Sequence, residues 1–179
     1  MANHSQALSA LAVGFPPVVP RHSRILILGS LPGAASIVQQ QYYAFARNSF
    51  WPIMATLLGF DPALDYSRRL DELCSRGVAL WDVCQSASRQ GSLDAAIRAQ
   101  GLVANDIGAL LAAQPGIAAV FCNGATAAAL YRRLVVPTLV GAMKKLPTHT
   151  LPSTSPAHAS RPFADKLRAW SIILASLDR

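Results

Sequence analysis

Three short apolar runs, each ending at or beside glycine, asparagine or aspartate, limit the folds open to this chain. Ile25-Leu-Ile-Leu28 is closed by Gly29, Gly77-Val-Ala-Leu-Trp81 runs into Asp82, and Ile117-Ala-Ala-Val-Phe-Cys122 runs into Asn123. None alternates apolar with polar as a strand with one wet face would. Each is also too short for a core helix, so each reads as a parallel strand buried on both faces. Thr148-His-Thr-Leu151, set between Pro147 and Pro152, is a fourth, weaker candidate.

Helical patterns fall between and after these runs. Apolar spacing predicts helices over 50–58, 63–76 and 124–134, one from a cap at Asn105 to about 113, and a closing amphipathic helix over 163–177. Strands alternating with helices give an α/β fold, with a mainly parallel four-stranded sheet covered on both faces. Residues 1–23, ending in the proline-rich GFPPVVPRHS, read as an irregular N-terminal lead-in, and 24–179 as the domain itself.

The chain has 179 residues, 52% of them hydrophobic and only 14% charged, which excludes a disordered protein. No apolar stretch reaches the roughly 20 residues of a membrane helix. The amino-terminal MANHSQALSALAVGF has no basic region ahead of its apolar part, so it does not read as a secretory signal. Cys74, Cys84 and Cys122 lack the spacing of a zinc or iron–sulfur site and read as buried reduced thiols, as in a cytoplasmic protein. We expect no metal and no cofactor.

The net charge of +7 arises from scarce acid, Glu72 being the only glutamate. Between Leu130 and Arg168 lie Arg132, Arg133, Lys144, Lys145, Arg161, Lys166 and Arg168, opposed by Asp165 alone. Such a bias fits a phosphate backbone, or else a solvated surface that keeps the protein in solution.

Open parallel sheets bind ligands beyond the carboxyl ends of their strands, so four loops draw attention. Gly29-Ser-Leu-Pro-Gly33 brings backbone close to the cleft without the Gly-Lys-Ser/Thr of a phosphate loop. The aromatic cluster that follows offers Tyr42 and Tyr43 as faces for stacking a base, whereas Phe50 and Trp51 begin a helix and read as core. Asp82 opens the second loop, where a carboxylate needs partners or a substrate. Asn123 opens the third, more as a helix cap than as a substrate contact. The fourth, Leu151-Pro-Ser-Thr-Ser-Pro-Ala-His158, is rich in hydroxyl donors and suits either phosphates or a surface connection.

Taken together and in order, GSLPG, YY-x-F-x-RNSFW, LWDVC, FCNG and LPSTSPAHA resemble the uracil-DNA glycosylase superfamily, and most of all its hypoxanthine-DNA (deoxyinosine) glycosylase branch. The resemblance runs from about Arg24 to the last helix. It implies a three-layer αβα domain that flips a deaminated base from duplex DNA and hydrolyses its N-glycosidic bond as a monomer, leaving an abasic site. It implies that Gly29, Ser30 and Leu31 of the first motif, Tyr43 by stacking, and Asp82 by reading the base edge bind the base. It implies Asn48 as the catalytic residue and Ser153, Thr154, Ser155 and His158 as DNA contacts.

This chain has Leu31 where mismatch-specific members carry a catalytic Asn, and Leu151 where uracil-directed members carry a His. It has Ala44-Phe45-Ala46 where the hypoxanthine branch often has Gly-His-Pro. Asn48 can orient water, the preferred role, or donate to the leaving purine. His158 serves a phosphate, the base or the structure. A glycosylase for uracil or mismatched bases, a non-catalytic DNA-binding domain of the same fold and a small-molecule hydrolase are the alternatives.

Overall fold

The computed structural model of the chain describes residues 11–88, 101–158 and 161–178. In chain order its elements begin with strand β1 (Leu11–Val13), β2 (Ile25–Gly29), and helices α1 (Ala34–Gln39), α2 (Phe50–Leu58) and α3 (Tyr66–Ser75). They continue with β3 (Val78–Asp82), β4 (Cys84–Ser88), β5 (Val103–Ala104), α4 (Ile107–Ala113), β6 (Ala119–Asn123) and α5 (Ala125–Leu130). β7 (Thr148–Leu151), α6 (Phe163–Trp170) and α7 (Leu174–Leu177) close the chain.

The four expected strands form one parallel sheet in the order β3-β2-β6-β7. Side chains alternate across it. Leu26, Leu28, Ala79, Val120 and Cys122 join a core with α4 and α5. Ile25, Ile27, Val78, Leu80 and Phe121 join a second core with α2, α6 and the 171–173 turn. Two cores on opposite faces of one sheet make three layers, and they explain why the strands carry no polar alternation. The Cys122 thiol, sealed inside, is pushed up to about 12 by burial.

Several boundaries depart from expectation, each for a local reason. The α4 cap is Asp106, whose carboxylate accepts from the Ala109 amide at 2.9 Å. Asn105 instead donates to the Asp82 carbonyl at 2.8 Å. The stretch after α5 widens into a π turn over Tyr131–Val135, and the closing helix is interrupted by a tighter turn at Ser171–Ile173.

From Leu11 onward the expected irregular lead-in is part of the fold. β1 pairs antiparallel with β4, which pairs with β5, making a small second sheet. Val18 forms a bridge to Leu80 at the outer edge of β3. Backbone groups on an edge strand need partners, and the lead-in supplies them. Its first ten residues lie outside the described residues.

The strand directions also divide the basic stretch. Parallel pairing puts the residues just before β7 at the amino edge of the sheet, and Lys144 and Lys145 sit there in a short helical turn. Arg132 and Arg133 end the helical segment that leads towards that edge. Of the expected basic arc, Arg161, Lys166 and Arg168 follow the loop after β7; the rest lies away from the cleft.

Candidate active site and nucleic-acid interface

At the carboxyl ends of β2 and β3, Gly29 pairs with Asp82. A β-carbon built on Gly29 would run into the Asp82 Oδ1 and lie 3.1 Å from the Tyr43 hydroxyl. Glycine is thus required here by the side chains that converge on it. Asp82 is only 3% exposed. Its main chain is fixed by Asn105, a residue that sequence reading assigned to a cap.

Tyr43 reaches this point from the loop between α1 and α2. Its φ of +55° is in the left-handed region, uncommon for a residue with a β-carbon. Its ring stacks on Phe50 with centroids 4.0 Å apart and planes 23° from parallel. Phe50 is buried at the start of α2, so a fixed aromatic backs the half-buried Tyr43 ring. Tyr42 plays a different part from the one expected. It is 4% exposed, its hydroxyl donates to the Pro16 carbonyl at 3.1 Å, and its carbonyl accepts from Trp51 Nε1 at 2.9 Å. Burial raises the Tyr42 pKa, and the Asp82 charge acts in the same direction. Tyr42 is core, and Tyr43 alone faces the cleft.

Asn48 lies five residues on, at the start of α2. Its Oδ1 accepts from the Phe50 amide at 3.0 Å, satisfying one of the helix's unpaired N–H groups. A backbone donor requires the oxygen, so this bond fixes which end of the carboxamide is which. Among the described residues nothing accepts from the Asn48 Nδ2, so the half-buried side chain offers a donor.

In the first motif, Ser30 and Leu31 are buried, and the Leu31 side chain packs with the core that includes Leu28 and Val83. Any contact it makes with a ligand is through its main chain, in keeping with a loop that brings backbone close to the cleft.

The loop after β7 is held from three directions. Asn123, at the end of β6, accepts from the Thr154 amide through Oδ1 and donates to Thr154 Oγ1 through Nδ2, both at 2.9 Å. Ser49 donates to the Thr154 carbonyl from its amide at 3.0 Å and from its hydroxyl at 3.1 Å. Thr154 is 0% exposed with every polar group engaged. It anchors the loop and cannot touch a phosphate as expected, and Asn123 is its strap rather than a cap. Gly124, at φ +98°, allows the approach, since a β-carbon there would come within 3.0 Å of Ser153 Cβ.

Three further carbonyls of this segment also turn inward. Leu151 accepts from Gly124, Pro152 from Trp170 Nε1 at 2.9 Å, and Ser155 from Lys166 Nζ at 3.4 Å. Lys166, which sequence reading placed in the basic stretch open to a phosphate, is instead 4% exposed, and burial lowers its pKa. With its acceptors directed inward, the loop leaves the half-buried Ser153 and Ser155 at its surface. Ser153 Oγ accepts from the Ser155 amide and Ser155 Oγ from the Ala157 amide, which shapes a tight turn. His158 ends that turn, and its side chain lies outside the described residues.

Ser49 joins the two halves of the site, because the turn carrying Asn48 is bonded through it to the loop carrying Ser153 and Ser155. Among the described residues no helix is long and apolar enough to cross a membrane, and Cys74, Cys84 and Cys122 are thiols.

Comparison with known proteins bears on the family and the fold. A family model described as the uracil DNA glycosylase superfamily matches residues 16–175. A hypoxanthine DNA glycosylase of Methanosarcina barkeri is 38% identical over 112 residues, covering 62% of this chain and 70% of that protein. A hypoxanthine DNA glycosylase of Methanosarcina acetivorans is 33% identical over 141 residues, covering 74% of this chain and 88% of that protein. The solution structure of a candidate uracil DNA glycosylase from Methanosarcina acetivorans superposes with a TM-score of 0.79 at 30% identity, covering 95% of this chain and all of that one.

Proposed function

Because the chain belongs to the uracil DNA glycosylase superfamily, we propose that it removes hypoxanthine from deoxyinosine in duplex DNA by hydrolysing the N-glycosidic bond. It is a DNA glycosylase of the hypoxanthine type. The observation that carries the base assignment is the convergence of Gly29, Tyr43 and Asp82 at one point at the strand ends.

Extrusion of the nucleotide brings the base to this point. Glycine at 29 lets main chain and base edge come close, and Tyr43, braced by Phe50, stacks on the purine. Asp82, as a carboxylate, accepts from the N1–H of hypoxanthine, a donor that adenine lacks. Ser153 and Ser155, with the exposed Arg161 and Arg168 that follow them, hold the phosphates.

In the reaction the C1′–N9 bond breaks and water's oxygen bonds C1′. A proton from water ends on the released base. The sugar becomes oxocarbenium-like, an electrophile that DNA phosphates held nearby stabilise and that a weak nucleophile can attack. A general base is therefore less pressing than stabilisation of the departing purine. With its Oδ1 tied to the Phe50 amide, Asn48 presents Nδ2, a donor suited to the leaving base and of the wrong polarity to draw a proton from water. We therefore assign Asn48 to the leaving group rather than to water positioning.

The test is release of hypoxanthine from a duplex carrying deoxyinosine, run beside duplexes carrying uracil and mismatched normal bases. Excision fastest on inosine is the expected result. Uracil as the preferred substrate would overturn the base assignment, and duplex binding without any abasic product would overturn the activity.

A further inference from the structure

A strand at the edge of a sheet presents a row of backbone N–H and C=O groups with which another chain can pair. The two edges of the parallel sheet are treated differently. At the β3 edge, Val18 and Leu80 exchange two main-chain hydrogen bonds, at 2.8 and 2.9 Å. At the other edge, no strand pairs beyond β7 among the described residues. The pairing register identifies the groups of β7 that are left over. The Pro147 and Leu151 carbonyls accept from the Val120 and Gly124 amides, at the two ends of the β6–β7 ladder. Backbone groups of successive residues point to opposite sides of a strand, so 147, 149 and 151 face β6. Thr148 and Thr150 therefore turn their N–H and C=O groups away from the sheet, and both residues are exposed.

This edge is held in shape from one face. The His149 ring stacks on Phe121 with centroids 5.0 Å apart, and Leu151 is buried in the same core. The approach to the edge carries one sign of charge. No acidic residue lies between Tyr131 and Ala164. Arg132, Arg133, Lys144 and Lys145 are exposed and take part in no ion pair among the described residues. Lys144 and Lys145 close a short helical turn three residues ahead of Thr148. Lysines beside an edge discourage pairing with a second copy, because like charges would meet. A duplex would satisfy the cations, but its phosphates offer no donor to the outward carbonyls. An extended peptide bearing carboxylates satisfies both.

We propose that the β7 edge is a docking site for an extended acidic segment of a partner protein. The segment adds to the four-stranded sheet as a fifth strand along Thr148–Leu151, with its carboxylates on Lys144 and Lys145. It uses none of the groups assigned to the base or to the phosphates, so the partner and DNA are held together.

The probe is a short labelled peptide alternating valine and glutamate, titrated into the full chain and followed by anisotropy and amide hydrogen exchange. Binding should slow exchange at the Thr148 and Thr150 amides. Replacing both lysines, Lys144→Gln with Lys145→Gln, should weaken it about fivefold or more at low salt. Excision from a short inosine duplex, duplex affinity and thermal unfolding should all be unchanged in that variant. Thr150→Pro should weaken the peptide about tenfold or more, because proline removes an outward N–H that the sheet itself does not use. The same peptide N-methylated throughout should fail to bind wild type, a control that holds even if the proline variant unfolds. Equal binding of the methylated peptide would reduce the contact to charge alone. Inhibition of excision by the peptide would place it in the DNA cleft, and a lower duplex affinity of the lysine variant would give those cations to DNA. Each of these results, or no binding by wild type, overturns the docking site. A protein that binds the peptide at Thr148 and Thr150 but leaves inosine intact would overturn the glycosylase reading alone.

Discussion

The carboxylate of Asp82 occupies the space in which a side chain on Gly29 would begin. The two residues face each other across a register pair of the parallel sheet, so a side chain at 29 requires a change at 82. Gly29→Ala should displace Asp82 and destabilise the protein by about 1–3 kcal/mol, the usual effect of forcing a methyl into a packed site. Asp82→Ala removes the obstacle, so the double variant should lose less stability than the sum of the single ones. Chemical denaturation of all four proteins measures the coupling. Strict additivity would mean that the two groups do not compete for the same space.

Asn48→Asp separates the two ends of the carboxamide. Aspartate keeps an oxygen for the Phe50 amide, and its charge suits a helix amino end, so unfolding should be unaltered. It loses the Nδ2 donor, and kcat on inosine should fall about 10²–10³-fold, as when one preorganised donor is removed. Retained turnover would return Asn48 to the water-positioning role.

Thr154→Val leaves the Asn123 Nδ2 without its acceptor, while the Oδ1 keeps the backbone amide of residue 154. An unsatisfied buried group costs about 1–3 kcal/mol, and the loop carrying Ser153 and Ser155 loses part of its anchor. Thermal unfolding and duplex affinity should both decline, although Thr154 itself touches no DNA. A variant with weakened DNA binding at wild-type stability would instead indicate direct contact.

Lys166→Met keeps the buried stem and removes the charge. Burial depresses the lysine pKa in the folded protein relative to its ordinary 10.5. The folded chain therefore holds the proton less tightly than the unfolded one, and lysine's contribution to stability improves as pH rises through that window. The Met variant should be at least as stable as wild type at neutral pH, with the difference shrinking as pH climbs towards 10.5. Its duplex affinity should still fall, because the Ser155 carbonyl loses its donor. Denaturation and binding titrations at neutral and alkaline pH check both statements.

The parallel sheet was readable because each strand is uniformly apolar and ends in a residue that cannot continue it. The second sheet was not. Leu11–Val13 and Cys84–Ser88 are short and mixed in polarity, and neither carries any sign that the other will be its partner. Gly29, Tyr43, Asp82 and Asn48 could be picked out by motif, and the fold brings the first three to one point and sets Asn48 on the Tyr43 loop. Thr154 misled for a physical reason: a hydroxyl in a serine- and proline-rich loop looks like surface until Asn123 and Ser49, 31 and 105 residues away, are seen to surround it. The basic stretch misled likewise. Charges that are neighbours along the chain are sent to opposite edges by the direction of β7.

Thr154 has a kinetic consequence. A loop whose carbonyls at 151, 152, 154 and 155 are engaged with β6, α2 and α6 before DNA arrives has less conformational entropy to lose on contact. Under the proposed function, the donors of Ser153 and Ser155 would meet the backbone already spaced, and a phosphate run that does not match that spacing would be released quickly. Undamaged duplex should thus be sampled by brief encounters and quick release, and the strand has to bend to the protein for the base to turn out.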